Sequence, residues 1–458
     1  MNGPHEMGKP GVFRWWMVPP ALVMLLVAGV GTFRSVTGKR IEAKLDEIRA
    51  AGCPVTLEEL DAWYPTPQGE NAADYYEDAF RAYVECDEVE SEPLPVIGRG
   101  KLPGRGERLP EETKKLVRAF LEENRDALAK LRRAADIPGC RYPIDVRKGV
   151  NTLLPELQKV REGANLLKLA AIFEAGEGRP HEAAEAIYSN VRLAESLRNE
   201  PLLVSSLVRT ACLSIAADTA EQTLNLSALP GEKLDLLREA FRQAENPFGM
   251  ARALTADRCF GIDLFSNFQQ WAGYFSSEFG GLANSPLRVP LTAFYRVSGM
   301  RELDFLYYLD NMDEVIAVSR REVVRDRLAY TPPYRNEFPK YAVFTALLLP
   351  ALDSVIEADV RGIEILRVTH AALTVERFRV KYDRLPENLS ELVPEFLSEV
   401  PLDPYDGNPL RYKKLEKGYV VYSIGQDKTD DGGKEPDPEK GSWRGQTGVD
   451  YTFTVERE

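Results

Sequence analysis

Asp427, Asp430 and Asp431 crowd into one short stretch, Y-S-I-G-Q-D-K-T-D-D-G-G, which runs from Tyr422 to Gly433. Closely spaced carboxylates on glycine turns suit a hard cation, which takes about six to eight oxygen ligands. The order Asp427-x-Thr429-x-Asp431-Gly432 repeats the first half of an EF-hand loop. Its twelfth position is Pro438 rather than Glu, and a strand rather than a helix precedes it, so an EF-hand is excluded. Lys428, Lys434 and Lys440 dilute the charge, and a solvated acidic loop is the competing reading.

Other chemistry finds little footing. The chain has three histidines, His5, His181 and His370, and H-E-A-A-E at His181 lacks the second histidine of a zinc protease helix. Cys53, Cys86, Cys140, Cys212 and Cys259 are scattered with no C-x-x-C pair, which argues against a zinc or thioredoxin-like site. Cys212 falls in an apolar helical stretch and reads as core. No G-x-S-x-G occurs, and acidic pairs are spread over helical faces without defining an acid–base couple. No catalytic residue is assigned. With 58 basic against 71 acidic residues, a net charge of −13, nucleic acid is not an expected partner.

The elements that must position the acidic loop begin with an anchor. No charge interrupts Trp15 to Phe33, and a helix of that length spans about 28 Å, near the thickness of a bilayer's hydrocarbon core. Arg14 and Arg34 bracket it, and Trp15, Trp16 and Phe33 suit the interfacial belt. The stretch is long for a cleaved signal peptide and no A-x-A site follows, so an uncleaved transmembrane anchor is expected over 13–34, after a tail at 1–12. Basic residues just downstream, Arg34, Lys39, Arg40, Lys44 and Arg49, would by themselves hold the body in the cytoplasm.

Segment 35–150 reads as helices and loops: a charged helix from Gly38 to Ala51, a second from Asn71 to Tyr83, and a Pro/Gly-rich loop from Pro93 to Pro110. The G-R-G-K within that loop lacks the context of a phosphate-binding loop. Over 151–245 the pattern is strongly helical. Leu153, Leu157, Val160, Ala164, Leu167 and Ala171 form one seam, and Gly176 and Gly178 break it. Ala184, Ile187, Val191 and Ala194 form the next seam. Further helices are expected at Leu202–Leu226 and Gly231–Ala244, and the short connections imply antiparallel hairpins. Leu169, Ala170, Phe173, Ala183 and Ile187 sit around a glycine turn in a way that weakly resembles a tetratricopeptide unit. Such arrays present surfaces to other proteins. Segment 246–340 is rich in aromatics, among them Phe260, Phe265, Phe268, Trp271, Tyr274, Phe275, Phe294 and Tyr295, with a helix expected from Arg301 to Leu328.

After Tyr341 a long helix is expected from Ala342 to about Tyr382, kinked at Pro350, then a strand G-Y-V-V-Y-S-I-G and a final strand Tyr451–Val455. Between and within these lie Leu385, Pro386, Leu389, Leu392, Pro401, Asp403, Pro404, Tyr405, Gly407, Pro409, Tyr412, Tyr422, Ser423, Gly425, Asp427, Gly432, Gly433 and Asp450. In that order they resemble the globular module of type II secretion major pseudopilins, over residues 341–458. The family's processing site and adjoining anchor helix are missing from this module, whose own anchor lies far upstream. The resemblance implies a calcium loop, with Asp427, Asp430, Asp431 and Asp450 as ligands by resemblance and by their chemistry. It also implies a body on the periplasmic side of a bacterial-type inner membrane, against the charge count.

The expected fold is therefore mostly α, antiparallel helical hairpins after one N-terminal transmembrane helix, with a small C-terminal α+β pilin-like module. The expected function is that of a single-pass, non-catalytic interaction or scaffold protein of the cell envelope, linked to secretion or pilus-like machinery. Its partners would be the membrane and other envelope proteins, and calcium would be structural. The alternative is an envelope enzyme or ligand-binding protein with a site in the aromatic-rich middle.

Overall fold

In the computed structural model the described residues are 20–86, 91–267, 288–332, 338–349, 352–436 and 448–457. The first part of the chain forms α1 (Pro20–Ala50), α2 (Leu57–Trp63), α3 (Ala72–Ala82), α4 (Glu111–Glu123) and α5 (Arg125–Ala135). The hairpin region follows as α6 (Pro155–Gly176), α7 (Pro180–Glu195), α8 (Leu203–Leu226) and α9 (Gly231–Ala244). Next come α10 (Gly249–Ser266), α11 (Arg288–Val297), α12 (Met300–Ser319), α13 (Arg325–Leu328), α14 (Thr345–Leu348) and α15 (Asp353–Tyr382). Three strands close the chain: β1 (Arg411–Leu415), β2 (Gly418–Ser423) and β3 (Tyr451–Glu456). Helices take 61% of the chain, which makes it a mostly α protein with a small C-terminal sheet.

The seam on α6 is buried from Leu157 to Ala171 because it faces both α7 and α8. Pro155 and Pro180 each open their helix, where a missing N–H costs nothing. Gly163 lets α6 and α7 approach closely, since a Cβ there would stand 2.9 Å from a Leu193 methyl. Helix α8 is the one described helix long and apolar enough to cross a membrane by length and composition. It packs against α6, α7 and α15 and buries Cys212, Ala216, Ala220 and Leu224, which is how a core helix behaves.

The sheet is antiparallel in the order β1-β2-β3, with Tyr422 opposite Thr452 and Gly418 opposite Glu456. The free edge of β3 does not face water alone. Asn225 at the end of α8 donates from Nδ2 to the Thr454 carbonyl (2.8 Å) and accepts from the Glu456 N–H (2.7 Å), while Glu221 accepts from the Thr454 N–H (3.0 Å). Two helical side chains thus supply the hydrogen bonds of an absent fourth strand, which keeps the edge from pairing elsewhere. One hydrophobic core accordingly runs from Leu57 through the hairpins and α15 to Val455. A second joins Ile41 and Ile48 of α1 to α10, α12 and Leu349, Leu352, Val355 and Ile356.

Several expectations are corrected. The charged helix after Gly38 is the second half of α1, continuous with the apolar stretch; residues 13–19 of the expected anchor lie outside the described residues. The helix expected to reach Leu328 ends at Ser319, because Arg327 is fully buried and its guanidinium takes the Arg321 carbonyl (3.0 Å), the Pro247 carbonyl (3.0 Å) and Asp359 (2.7 Å). A continuous helix would keep the Arg321 carbonyl for itself. The long helix from Ala342 is two: α14 and α15. Asp304 caps the start of α14, accepting from the N–H groups of Phe344 (2.8 Å) and Thr345 (3.2 Å). Pro350 and the aromatics Phe268, Trp271, Tyr274 and Phe275 lie outside the described residues. In the described part of that middle segment Phe265 stacks on Phe305 at 4.8 Å and meets Tyr308 and Phe344, while Phe294 is exposed.

Candidate functional site

Strand β2 delivers the acidic loop. Past Ser423 the chain turns at Gly425 (φ 71°), and Gly432 and Gly433 follow with φ 74° and 76°, a left-handed backbone that glycine adopts without strain. Gly433 also lies against the Tyr422 ring, where an added Cβ would stand 3.1 Å from a ring carbon.

Three of the four sequence-predicted aspartates, Asp427, Asp430 and Asp450, hold backbone amides in this loop. Asp427 accepts from Thr429 N–H (3.0 Å) and, across the loop, from Gly448 N–H (2.7 Å). Asp430 accepts from Gly432 N–H (2.9 Å) and lies 3.7 Å from the Arg411 guanidinium. Asp450, wholly buried just before β3, accepts from Gly433 N–H (2.7 Å) and Asp431 N–H (3.3 Å), while its own N–H donates to Lys434 O (3.2 Å). The loop is therefore tied to the last strand by carboxylate–amide hydrogen bonds.

The structure brings Asp430, Asp431 and Asp450 into electrostatic range, but the described residues do not form a ligand cage. Among the described residues no group of three or more His, Cys, Asp or Glu side chains is arranged to hold a metal. Two features still fit a cation. Asp431 Oδ2 is buried with no hydrogen-bond partner, and burial raises the Asp450 pKa, with the Asp430 and Asp431 charges adding to the rise despite the two amide bonds. The rest of the loop, 437–447, lies outside the described residues.

Beneath the loop is a second carboxylate group that the sequence did not single out as a site. Asp403 is buried and accepts from the Tyr405 N–H (2.9 Å), the Ile424 N–H (3.0 Å) and Arg411 (2.5 Å). Arg411 also pairs with Asp406, so one guanidinium serves the acids on this side. Glu364 of α15 is buried, hydrogen-bonds Ser423, and has one oxygen, Oε1, without a partner. Burial pushes its pKa up to about 8, and the nearby Asp403 and Asp450 charges act in the same direction. A signal was present: Glu364 interrupts the apolar column Val360, Val368, Ala372 at four-residue spacing, all of it buried.

A third constellation lies among the hairpins. Glu156 in the first turn of α6 and Glu200, between α7 and α8, hydrogen-bond each other, and Ser205 donates to Glu200. Burial raises both pKa values, and each keeps an oxygen with no partner. Burial and their mutual repulsion favour one proton shared between the two carboxyl groups. Glu156 also lines a cavity of about 400 Å³ with Phe80, Ile144, Leu153, Lys148 and Lys159. The two residues are far apart in sequence, and no motif announces the pair. Of the histidines, His5 lies outside the described residues and His181 is 3.8 Å from Glu232. Burial pushes the His370 pKa down to about 4, helped by Arg238 and Arg242, so it is uncharged at neutral pH.

No family model, curated protein or solved structure matches the chain.

Proposed function

We propose that the chain is a membrane-anchored, non-catalytic interaction or scaffold protein of a bacterial-type cell envelope. It crosses the inner membrane once through the apolar stretch 13–34, whose described part is the first half of α1, and carries its body on the periplasmic side. The observation that carries this reading is on α1. Val23, Met24, Leu25, Leu26 and Val27 are 51–70% exposed in one unbroken run of five consecutive large apolar residues. Apolar side chains on all sides of a helix, with no protein against them, suit a lipid surround. The packed hairpins α6–α9 supply a broad surface for envelope or secretion partners, and the filled Phe265–Phe305 cluster is core rather than cleft. The pilin-like reading of 341–458, and calcium at Asp427, Asp430, Asp431 and Asp450, belong to the same proposal. The partnerless Asp431 oxygen beside buried Asp450 supports the ion.

The test is extraction of membranes with alkaline carbonate, then protease treatment of spheroplasts, then crosslinking with partner identification. Release by carbonate removes the anchor, a protected body removes the periplasmic placement, and the absence of any reproducible partner removes the scaffold role. A second reading, an acid–base enzyme, draws on the Glu156–Glu200 pair, of which Glu156 lines the cavity. Turnover abolished by Glu156→Gln in a fold that is otherwise intact would favour it.

A further inference from the structure

We infer that α11 is a second membrane contact, lying in the plane of the bilayer surface beside the point where α1 leaves it. This rests on the reading of α1 as membrane-inserted. Ala293, Phe294 and Val297 are exposed, Phe294 by 62% and Val297 by 65%, although both are large and apolar. The helix is not loosely attached. Tyr295, on its other side, is buried, and its hydroxyl donates to Asp304 of α12 at 2.6 Å. That bond fixes which face of α11 turns outward.

The position of α11 decides what the outward face meets. The turn after it, at Gly299 (φ 86°), lies against Phe33 of α1, so closely that a Cβ there would be 2.8 Å from the Phe33 ring. Arg34, the next residue, pairs with Glu302 at 3.0 Å. Phe33 and Arg34 mark where the apolar half of α1 gives way to its charged half. Helix α11 is thus docked at the level where a bilayer's headgroups begin, with Val297 two residues before the Gly299 turn that meets Phe33. Arg34, Lys39, Arg40, Arg296 and Arg301 lie in these same segments, which suits anionic headgroups. An apolar face carrying an aromatic, flanked by arginines on a short helix, is the pattern of an interfacial helix. The occupant is the lipid interface. A second copy of the chain or another protein would leave a different trace.

The experiment uses the full chain reconstituted in phosphatidylcholine–phosphatidylglycerol vesicles, with a photoreactive diazirine amino acid placed singly at position 26, 294 or 153. Leu153 is the reference, 78% exposed but remote in the chain from α1 and α11. After irradiation, adducts are identified by mass spectrometry. Lipid adducts at both 26 and 294, several-fold above those at 153, are the expected result. Lipid adducts at 26 with only protein adducts, or none above the reference, at 294 overturn the inference and leave the anchor standing. No lipid adduct at 26 overturns the anchor reading and this inference with it.

Discussion

Replacing Glu364 by Gln should flatten the dependence of stability on pH. The carboxyl group is 1% exposed, its pKa is pushed up to about 8 from an ordinary 4.5, and burial is the first cause. A raised carboxyl pKa means that the folded chain holds a proton which the unfolded chain gives up. The resulting stabilisation is complete below pH 4.5, falls as pH rises toward 8, and is constant above. Each pH unit in that window costs about 1.4 kcal/mol, so between pH 5.5 and 7.5 this one group removes about 3 kcal/mol. Glutamine keeps the shape and, like the protonated acid, both donates and accepts, so it can hold Ser423 without titrating. Thermal unfolding of the full chain in detergent, followed by far-ultraviolet circular dichroism, compares the two proteins across this range. Near pH 5 the variant should match the parent, and by pH 7.5 it should be the more stable by about 3 kcal/mol. Parallel curves for the two proteins would refute the reasoning, because they would mean that Glu364 is ionised in the fold.

Other measurements probe the remaining joints. Asn225→Ala should destabilise the fold by about 1–3 kcal/mol by orphaning buried groups on β3, with hydrogen exchange rising first at Thr454 and Glu456; unchanged protection there would remove the edge-cover argument. Excess calcium over chelator should raise the melting temperature of the parent but not of Asp450→Asn, and equal shifts in both proteins would place the ion elsewhere. Phe265→Ala should cost about 3–5 kcal/mol through the cavity left against Phe305, whereas a cost below about 1 kcal/mol would mean that this cluster is loosely packed. Glu200→Gln should weaken the pH dependence in the same direction as Glu364→Gln, since burial raises its pKa too, and no change would mean that the pair holds no shared proton.

Much of the helical body was legible in the sequence. The fourth hairpin helix, expected at Gly231–Ala244, is found over those same residues, and α6 to α8 follow their stripes except at Leu153, which precedes α6 and is exposed. Helix α9 buries one face, so its apolar period survives in the sequence, whereas α6 and α8 are packed on several sides. Strand β2, fully buried, was equally plain. Its neighbour β1 was not: R-Y-K-K-L puts two exposed lysines side by side on an edge, and no alternation marks it as a strand. Helices α4 and α5 were folded into a general helical segment because charge runs through E-E-T-K-K-L-V-R-A-F-L-E-E, even though Val117, Phe120 and Leu121 pack inward.

The sites were less legible, for a related reason. A loop such as 422–433 announces itself because its acids are neighbours in the chain, yet in the fold two of the three, Asp427 and Asp430, hold backbone amides. The carboxyl groups in the more unusual surroundings come from distant places. Glu156 meets Glu200, and Glu364 lies near Asp403 and Asp450, only after the helices have packed. A buried acid is costly unless it is paired or stays protonated, so these groups are a sharper sign of constraint than the visible acidic run. Glu364 lies under the strand that leads into the acidic loop, with Asp450 close by, so proton uptake at Glu364 and ion binding above it would compete through a shared electrostatic field. Protonating Glu364 removes negative charge that would otherwise draw a cation. The chain should therefore hold calcium less tightly at pH 6 than at pH 8, and the Glu364→Gln variant should lose most of that difference. A calcium affinity equally pH-dependent in the variant would show that the two carboxylate groups act independently.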